Sequence, residues 1–253
     1  MNNNNNIPKV IHYCWFGGNP LPPLAIKCIE SWRKYFPDYE IKRWDESNFD
    51  INIIPYTSQA YQNKKYAFVS DYARFFILYK LGGIYFDTDV EVIKPMDDII
   101  DSGPFMGCER ESNSEEPPHA LGVAPGLGLG VTPGLDLYKE FLDLYAGLSF
   151  YKKNGELNTK TVVGYITELL STKGLKNTSE IQKVAGVSIY PKDFFCPIDY
   201  DTGKMKITSN TYSIHHYAAS WHGNKEILYK TFERVFGKTI SQKLSQIWKA
   251  VQR

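Results

Sequence analysis

The apolar and polar positions of the 253-residue chain alternate with the periods of strands and helices. Residues 7–16 form an apolar run that predicts a buried strand, and a helix is predicted from Leu21-Pro22-Pro23 to about Tyr35, before Phe36-Pro37. Strands are also predicted near 40–44, 84–86, 104–108, 187–190 and 211–217, with extended chain at 90–93, and helices near 58–64, 67–81, 134–146 and 161–173. This alternation, without a linker or repeat, favours a single α/β domain with a mostly parallel central sheet.

Two stretches carry no periodic pattern. Residues 109–119 (ERESNSEEPPH) are polar and contain two prolines, which is typical of a mobile loop. Residues 124–130 (APGLGLG) have glycines at alternate positions, but this spacing is a poor match to a dinucleotide-binding fingerprint. We therefore expect a loop at 124–130.

The most informative segment is SDYARFFILYKLGGIYFDTD, residues 70–89. A helix ends at Gly82-Gly83, a short apolar strand follows, and two carboxylates come directly after it, Asp87 and Asp89. Carboxylate oxygens in this position suit Mg²⁺ or Mn²⁺ and leave coordination positions for a substrate phosphate. An Asp-x-Asp alone is most often a solvated turn, so its place at the end of a buried strand is what favours a cation site.

Asp71 and Arg74 lie three residues apart and share one face of the preceding helix. This spacing has two interpretations. The pair is either a surface ion pair of the helix, or a carboxylate and a guanidinium that both point at a polar ligand beside Asp87 and Asp89.

The composition narrows the range of functions. A hydrophobic content of 43%, a charged content of 23% and a net charge of +1 are ordinary for a globular protein and argue against nucleic acid as the main ligand. The four cysteines have no C-x-x-C spacing and predict reduced, buried thiols. The start, MNNNNN, lacks the features of a signal peptide, and residues 1–6 are predicted to be disordered.

Residues 224–253 carry seven basic and two acidic residues, with apolar residues at roughly helical spacing. The pattern predicts a basic amphipathic helix. Such a helix either packs on the domain with solvated lysines or contacts an anionic membrane surface.

Taken together, S-D-x-x-R, the double glycine and Y-x-D-x-D resemble family 32 glycosyltransferases and the related glucosylating bacterial toxins. IPKVIHYCWFGG (7–18) resembles the first strand of that family, and SIHHYAASW (213–221) resembles its closing strand and loop. The resemblance implies a GT-A-type fold, a nucleotide-binding αβα sandwich. It also implies one domain over 7–223, with a nucleotide-sugar half at about 7–110 and an acceptor half at about 111–223.

The resemblance also implies the ligands of a metal ion. Asp89 would bind the cation directly, and Asp87 would reach both the cation and the ribose. Neighbouring residues of a strand face opposite sides, so one of His215 and His216 faces the site, and we predict His216. An imidazole ligand favours Mn²⁺ over Mg²⁺.

The donor contacts follow from the same resemblance. Asp71 and Arg74 would bind hydroxyl groups of the donor sugar. The remaining predicted contacts are Trp15 with the uracil ring, Tyr85 with the ribose or base, and Ser220 and Trp221 with the diphosphate.

The function implied is a metal-dependent, retaining glycosyltransferase that moves galactose or glucose from a UDP-sugar. The acceptor would be a glycan or a polyprenyl-diphosphate-linked sugar in bacterial surface polysaccharide (capsule) synthesis. The protein would then be cytoplasmic, or peripheral at the inner face of the membrane. Because no carboxylate nucleophile can be identified, a same-face substitution is favoured.

Two other interpretations are weighed against this one. The segment D-T-D-V-E-V after a hydrophobic strand also matches the first motif of haloacid-dehalogenase phosphatases, in which the first Asp is the nucleophile. The aromatic content and the basic C-terminal segment would also suit a non-catalytic module that binds carbohydrate or a lipid surface.

Overall fold

The fold is taken from a computed structural model that describes residues 6–199 and 202–218. The Asn tract at 1–5, Ser220, Trp221 and the predicted helix at 224–253 lie outside the described residues. None of the described helices is both long and apolar enough to span a membrane. All four cysteines are buried and free of disulfide bonds, as predicted.

The described residues form nine strands and seven α-helices. The strands are β1 (Val10–Cys14), β2 (Glu40–Trp44), β3 (Gly83–Tyr85), β4 (Val90–Val92), β5 (Phe105–Gly107), β6 (Leu129–Val131), β7 (Gln182–Val184), β8 (Val187–Tyr190) and β9 (Ser213–His215). The helices are α1 (Pro23–Tyr35), α2 (Pro55–Gln62), α3 (Tyr66–Leu81), α4 (Asp97–Asp101), α5 (Asp136–Ala146), α6 (Val162–Thr172) and α7 (Lys192–Phe195), with a 3₁₀ turn at Pro118–Leu121.

Seven strands form one sheet in the order β2-β1-β3-β6-β5-β8-β7. The pairing directions make five of the seven strands run the same way, and only β6 and β7 run against them. The prediction of an α/β fold with a mostly parallel central sheet is therefore confirmed. A separate two-stranded sheet pairs β4 with β9.

Strand β3 lies beside β1 because of the double glycine. Gly82 ends α3 with φ +65°, and Gly83 follows with φ +101°, both in the left-handed region that glycine adopts most easily. A Cβ atom on Gly83 would lie 2.7 Å from the carbonyl oxygen of Val10. The two glycines thus turn the chain and also allow the close approach of the two strands.

Two apolar clusters cover the two faces of the sheet. Neighbouring residues of a strand point to opposite faces, and Ile84 and Tyr85 of β3 belong to different clusters. One cluster joins α3 to α5, where the ring centroids of Phe75 and Phe141 are 4.1 Å apart. The other contains Trp32 of α1, whose Nε1–H donates to the carbonyl of Val90 at 2.8 Å. This second cluster attaches β4, and with it the chain beyond Asp87, to the body of the domain.

The structure corrects the prediction of a loop at 124–130. Leu129 and Gly130 belong to β6, which lies in the middle of the sheet between β3 and β5. Gly130 is required there, because a Cβ atom would overlap with the ring of Phe105. Glycine is depleted in strands, so the alternation of Leu129 and Val131 with glycine is only a weak signal for this strand.

Three other short elements were not predicted, namely α4, β7 and α7, each of three to five residues. Periodicity needs a longer window than this to identify an element. Because β6, from the proposed acceptor half, lies between β3 and β5, the two predicted halves share one sheet.

Candidate active site

The position of the D-x-D segment, Asp87 to Asp89, is set by the place of β3 in the sheet. β1 and β3 are parallel neighbours, so their carboxyl ends lie at the same edge. Phe86 extends this pairing through a hydrogen bond from its N–H to the carbonyl of His12 at 3.2 Å. Asp87 then leaves the sheet at the edge where ligands of such folds bind. Trp15 follows β1 at that same edge.

Asp87 is held by side chains from α3 and β3. Its Oδ1 accepts a hydrogen bond from the Tyr85 hydroxyl at 3.0 Å and lies 3.3 Å from Nη2 of Arg74. Its backbone N–H donates to the carbonyl of Gly126 at 3.0 Å. A Cβ atom on Gly126 would overlap with the Asp87 carboxylate, so this glycine leaves the space in which the carboxylate lies.

The Asp71–Arg74 pair lies inside the protein and is not a surface ion pair. Nη2 of Arg74 is 3.0 Å from Oδ1 of Asp71, and the two residues are 3% and 8% exposed. The guanidinium also lies 4.8 Å from the centroid of the Tyr85 ring. Burial raises the pKa of Asp71 to about 7, although Arg74 opposes this shift. The structure thus places Asp71, Arg74 and Tyr85 behind Asp87, as a buried support.

Asp89 is held from a different part of the chain. Its Oδ1 lies 3.3 Å from Nε2 of His215, and its Oδ2 accepts a hydrogen bond from the backbone N–H of Ala218 at 2.9 Å. Burial by itself would raise the pKa of Asp89, but His215 and the Ala218 N–H lower it to about 2. Burial would likewise lower the pKa of His215, and the Asp89 carboxylate raises it well above its ordinary value instead.

The structure brings His215, and not His216, to the two aspartates. Strands β4 and β9 pair antiparallel with Val90 opposite His215, which sets the rings of the two histidines on different sides. Nε2 of His216 is instead 2.8 Å from Oε2 of Glu91, which also accepts from Lys27 at 2.8 Å. The prediction that His216 faces the cation site is corrected to His215. The rule of alternation was sound, but the sequence did not show which side the register selects.

Asp87, Asp89 and His215 fit a divalent cation. Each offers one ligand atom, and these three atoms lie within 4.8 Å of one another. Nδ1 of His215 is buried and has no hydrogen-bond partner in the described part of the chain. Two carboxylate oxygens and an imidazole nitrogen form a donor set that Mn²⁺ accepts. Cation binding would require the neutral imidazole, so it would release the proton that the His215–Asp89 pair holds.

Of the other residues predicted to contact the donor, Trp15 and Tyr85 are among the described residues. Trp15 is half-buried, and its Nε1–H donates to the carbonyl of Asn19 at 2.6 Å. Tyr85 is 1% exposed, so its visible role is to position Asp87. Ser220 and Trp221 lie outside the described residues.

Sequence reasoning missed Gly126 and Ala218 as parts of this site. Gly126 lies in the APGLGLG segment, where the unusual density of glycine was a signal of close backbone approach. Ala218 acts through its backbone N–H, which no side-chain pattern reports.

A family comparison covers the segment that contains Asp87 and Asp89. Residues 22–106 match the family model described as the glycosyltransferase sugar-binding region containing the DXD motif. This confirms, for that segment, the resemblance to D-x-D sugar transferases. The expected fold class, α/β with a mostly parallel central sheet, is the one that the seven-stranded sheet shows.

Curated relatives of this chain include fungal proteins. Inositol phosphoceramide mannosyltransferase 3 of Schizosaccharomyces pombe is 34% identical over 124 residues, which cover 47% of this chain and 34% of the relative. Mannosyl phosphorylinositol ceramide synthase CSH1 of Saccharomyces cerevisiae is 26% identical over 234 residues, 90% of this chain and 56% of the relative. The chain thus spans between about a third and just over half of the length of these relatives.

Among solved structures, the chain is similar to the PaToxG glycosyltransferase, with 21% identity, a TM-score of 0.46 and coverage of 66% of this chain and 70% of that one. It is also similar to a glycosyltransferase involved in glycosylation of the major capsid of PBCV-1, with 12% identity, a TM-score of 0.48 and coverage of 87% and 97%.

Proposed function

Because residues 22–106 carry the glycosyltransferase sugar-binding region with the DXD motif, we propose that this chain transfers a sugar from a nucleotide-sugar donor to a glycan or lipid acceptor. The observation that carries the proposal is the convergence of Asp87, Asp89 and His215 at the carboxyl edge of the sheet. A cation held there would bind the donor diphosphate and neutralise the charge that develops on the leaving phosphate.

The chain's own residues prepare the two carboxylates for this role. Arg74 and Tyr85 fix Asp87, and the Ala218 N–H fixes Asp89, so neither carboxylate needs to be reoriented when the donor arrives. Arg74 also pairs with both Asp71 and Asp87 from a buried position. The site is therefore pre-organised for a cation and an anionic ligand.

Transfer with retention is part of the proposal. Asp71, Asp87 and Asp89 are each held by an internal partner, which makes none of them a free nucleophile. The leaving phosphate would then assist attack on the same face of the sugar. The same observation disfavours the phosphatase alternative, since its nucleophile would have to be Asp87, the carboxylate paired with Arg74 and Tyr85.

For the donor, we propose galactose or glucose carried by UDP, with the uracil on Trp15. Mannose is a second candidate, because the S. pombe relative is named as a mannosyltransferase. For the acceptor, a polyprenyl-diphosphate-linked sugar of a bacterial surface polysaccharide is one proposal, and a phosphoinositol-containing lipid of the kind named in the relatives is another. A location in the cytoplasm or at the inner membrane face belongs to the same proposal.

A donor screen tests the function. UDP-glucose, UDP-galactose and GDP-mannose are each incubated with the protein and Mn²⁺, and slow donor hydrolysis is measured with and without chelator. We expect hydrolysis of one donor, its loss in chelator and its loss in Asp89→Asn. The exposed residue Asp38 provides the matched control, Asp38→Asn, which should hydrolyse the donor normally.

Full activity in chelator would contradict the cation site. Turnover of p-nitrophenyl phosphate without donor hydrolysis would favour the phosphatase. If neither substrate is cleaved but a donor still raises the melting temperature, a binding module becomes the better description.

A further inference from the structure

A polar cavity lies apart from Asp87 and Asp89. It has a volume of about 260 Å³ and is lined by parts of segments 110–112, 178–179, 191–197 and 206–210, together with Leu121. Among the described residues, none of those assigned to the proposed donor site lines it. A cavity of this size admits a phosphate group together with part of the molecule that carries it.

The walls of this cavity are more basic than acidic. Arg110, Lys192 and Lys206 line it, against the carboxylates of Glu111 and Asp193. The Asp193 carboxylate already accepts hydrogen bonds from Asn210 at 3.0 Å and Thr208 at 3.3 Å. The cations therefore outnumber the carboxylates that are free to pair with them.

Lys192 is the unusual member of this group because it is 7% exposed. Its Nζ lies 3.6 Å from Glu111 and 3.7 Å from Asp199, which are both beyond hydrogen-bond distance. Those side chains are themselves 80% and 44% exposed, so solvent screens them. No carboxylate of these two lies close enough to bond the ammonium, so an anion in the cavity would be a closer partner for it.

The cavity adjoins the proposed donor site through two side chains. Cys196 lines the cavity, and its Sγ lies 2.9 Å from the hydroxyl of Tyr217. The ring of Tyr217 packs on His215, with centroids 4.3 Å apart. A molecule bound in the cavity would thus be two side chains away from His215, on the other side of Cys196 and Tyr217.

Exposed apolar side chains flank one of the lining residues, Lys206, along the chain. Met205 and Ile207 are 48% and 54% exposed, and they flank Lys206. With Lys204, the segment alternates basic and apolar residues, which suits a surface of anionic lipid. This pattern favours a lipid as the carrier of the anionic group.

We propose that this cavity binds a phosphate group of the acceptor through Arg110, Lys192 and Lys206. The assignment rests on the proposed transferase function, since it places the acceptor two side chains away from His215. The phosphate belongs either to a lipid headgroup or to a soluble sugar phosphate. Met205 and Ile207 would touch the membrane only in the first case.

The binding test uses glycerol 3-phosphate as the probe and glycerol as its neutral control. Calorimetry is carried out with saturating UDP and Mn²⁺, so that the donor site is filled and its own affinity is measured in the same series. We expect the wild type to bind glycerol 3-phosphate but not glycerol. Arg110→Gln/Lys206→Gln should weaken this binding about tenfold or more, because two charged donors are lost.

The matched control is Arg33→Gln/Lys34→Gln on the exposed face of α1, which removes the same charge elsewhere. It should bind the probe as the wild type does. Lys192→Met should also lose the probe, with thermal unfolding measured alongside to show that the fold is retained. The proposal is overturned if the wild type does not bind the probe or if Arg110→Gln/Lys206→Gln binds it normally. A wild type that fails to bind UDP with Mn²⁺ would instead contradict the proposed function.

Vesicles distinguish the two sources of phosphate. The protein is sedimented with phosphatidylcholine vesicles, with and without phosphatidylinositol. A lipid acceptor is supported if sedimentation requires phosphatidylinositol and is lost in Met205→Ser/Ile207→Ser. The matched control is Ile26→Ser/Leu81→Ser, since Ile26 and Leu81 are also exposed apolar residues, and its sedimentation should persist. Probe binding without sedimentation supports a soluble phosphorylated acceptor at the same cavity.

Discussion

The two carboxylates of the D-x-D motif are held in different ways. Asp87 is supported by Arg74 and Tyr85, which precede it by thirteen and two residues on the adjoining helix and strand. Asp89 is supported by His215 and by Ala218, which lies 129 residues later. One half of the site is therefore built from a contiguous segment, and the other exists only because β9 pairs with β4.

The charges differ as well. A guanidinium, which stays protonated, balances Asp87, whereas an imidazole, which can lose its proton, balances Asp89. The Asp87 half thus keeps a charged partner at every ordinary pH, and that partner, Arg74, is buried. The Asp89 half can exchange a proton for a cation, which suits a part of the site that responds to ligand.

The largest expected effect follows from the loss of Arg74. Arg74→Met would leave Asp71 and Asp87 without their buried cation, and we expect a loss of about 3–5 kcal/mol in the free energy of unfolding. Urea denaturation followed by circular dichroism measures it. Arg33→Met is the matched control, because Arg33 and Glu30 form an exposed pair on α1 and its loss should cost less than about 1 kcal/mol. Equal stability of the two variants would show that Asp87 does not depend on Arg74.

Gly126 tests the space around Asp87. In Gly126→Ala the new methyl group would overlap with the Asp87 carboxylate and displace it. We expect Mn²⁺ affinity to fall by about 10- to 100-fold, the range seen when groups that orient metal ligands are changed. Titration of Mn²⁺ by electron paramagnetic resonance measures it. Gly147→Ala, where a Cβ atom meets only ordinary contacts, should bind Mn²⁺ as the wild type does; if both variants bind alike, Asp87 lies elsewhere during cation binding.

The two histidines test the Asp89 half. We expect His215→Gln to raise the Mn²⁺ concentration needed for half-maximal donor hydrolysis about tenfold, since a cation ligand is lost. His216→Gln should change it little, because His216 pairs with Glu91. The Mn²⁺ dependence of both variants is measured at one pH. The reverse order of effects would restore His216 as the ligand.

The smallest expected effect is on the pH dependence of the free energy of unfolding. It arises from His12, which ties β1 to the double glycine before Asp87. Its Nε2–H donates to the carbonyl of Gly82 at 3.1 Å, and its Nδ1 accepts from Trp44 at 3.0 Å. The bond from Trp44 needs an unprotonated Nδ1 and therefore the neutral ring, and burial lowers the pKa of His12 to about 4.

The unfolded chain therefore binds a proton below about pH 6.5 that the folded chain does not bind until about pH 4. The contribution of His12 to the free energy of unfolding is fully present above this window and is lost as the pH falls through it. Between about pH 7 and about pH 5.5 the loss is about 1 kcal/mol. His12→Gln should flatten this part of the pH profile of unfolding, whereas the exposed His119→Gln should not. An unchanged slope in His12→Gln would assign the acid sensitivity to another group.

The local parts of this protein could be predicted from its sequence. The apolar residues of the longer elements have clear periodicity, as in β1, α1, α3, α5 and α6. The double glycine predicts the turn from α3 into β3. The position of Asp87 and Asp89 after a buried strand follows from the same local pattern. Period and turn chemistry act over a few residues, so one sequence contains them.

Tertiary structure alone decided the rest. The burial of Asp71 with Arg74, the choice of His215 over His216 and the place of β6 between β3 and β5 all depend on which distant segments pair. A shift of one residue in the β4–β9 register would exchange the faces of the two histidines, and no local property of HH distinguishes the two registers. The role of Gly126 depends on tertiary structure in the same way. Its missing side chain matters only because the Asp87 carboxylate occupies that space in the fold.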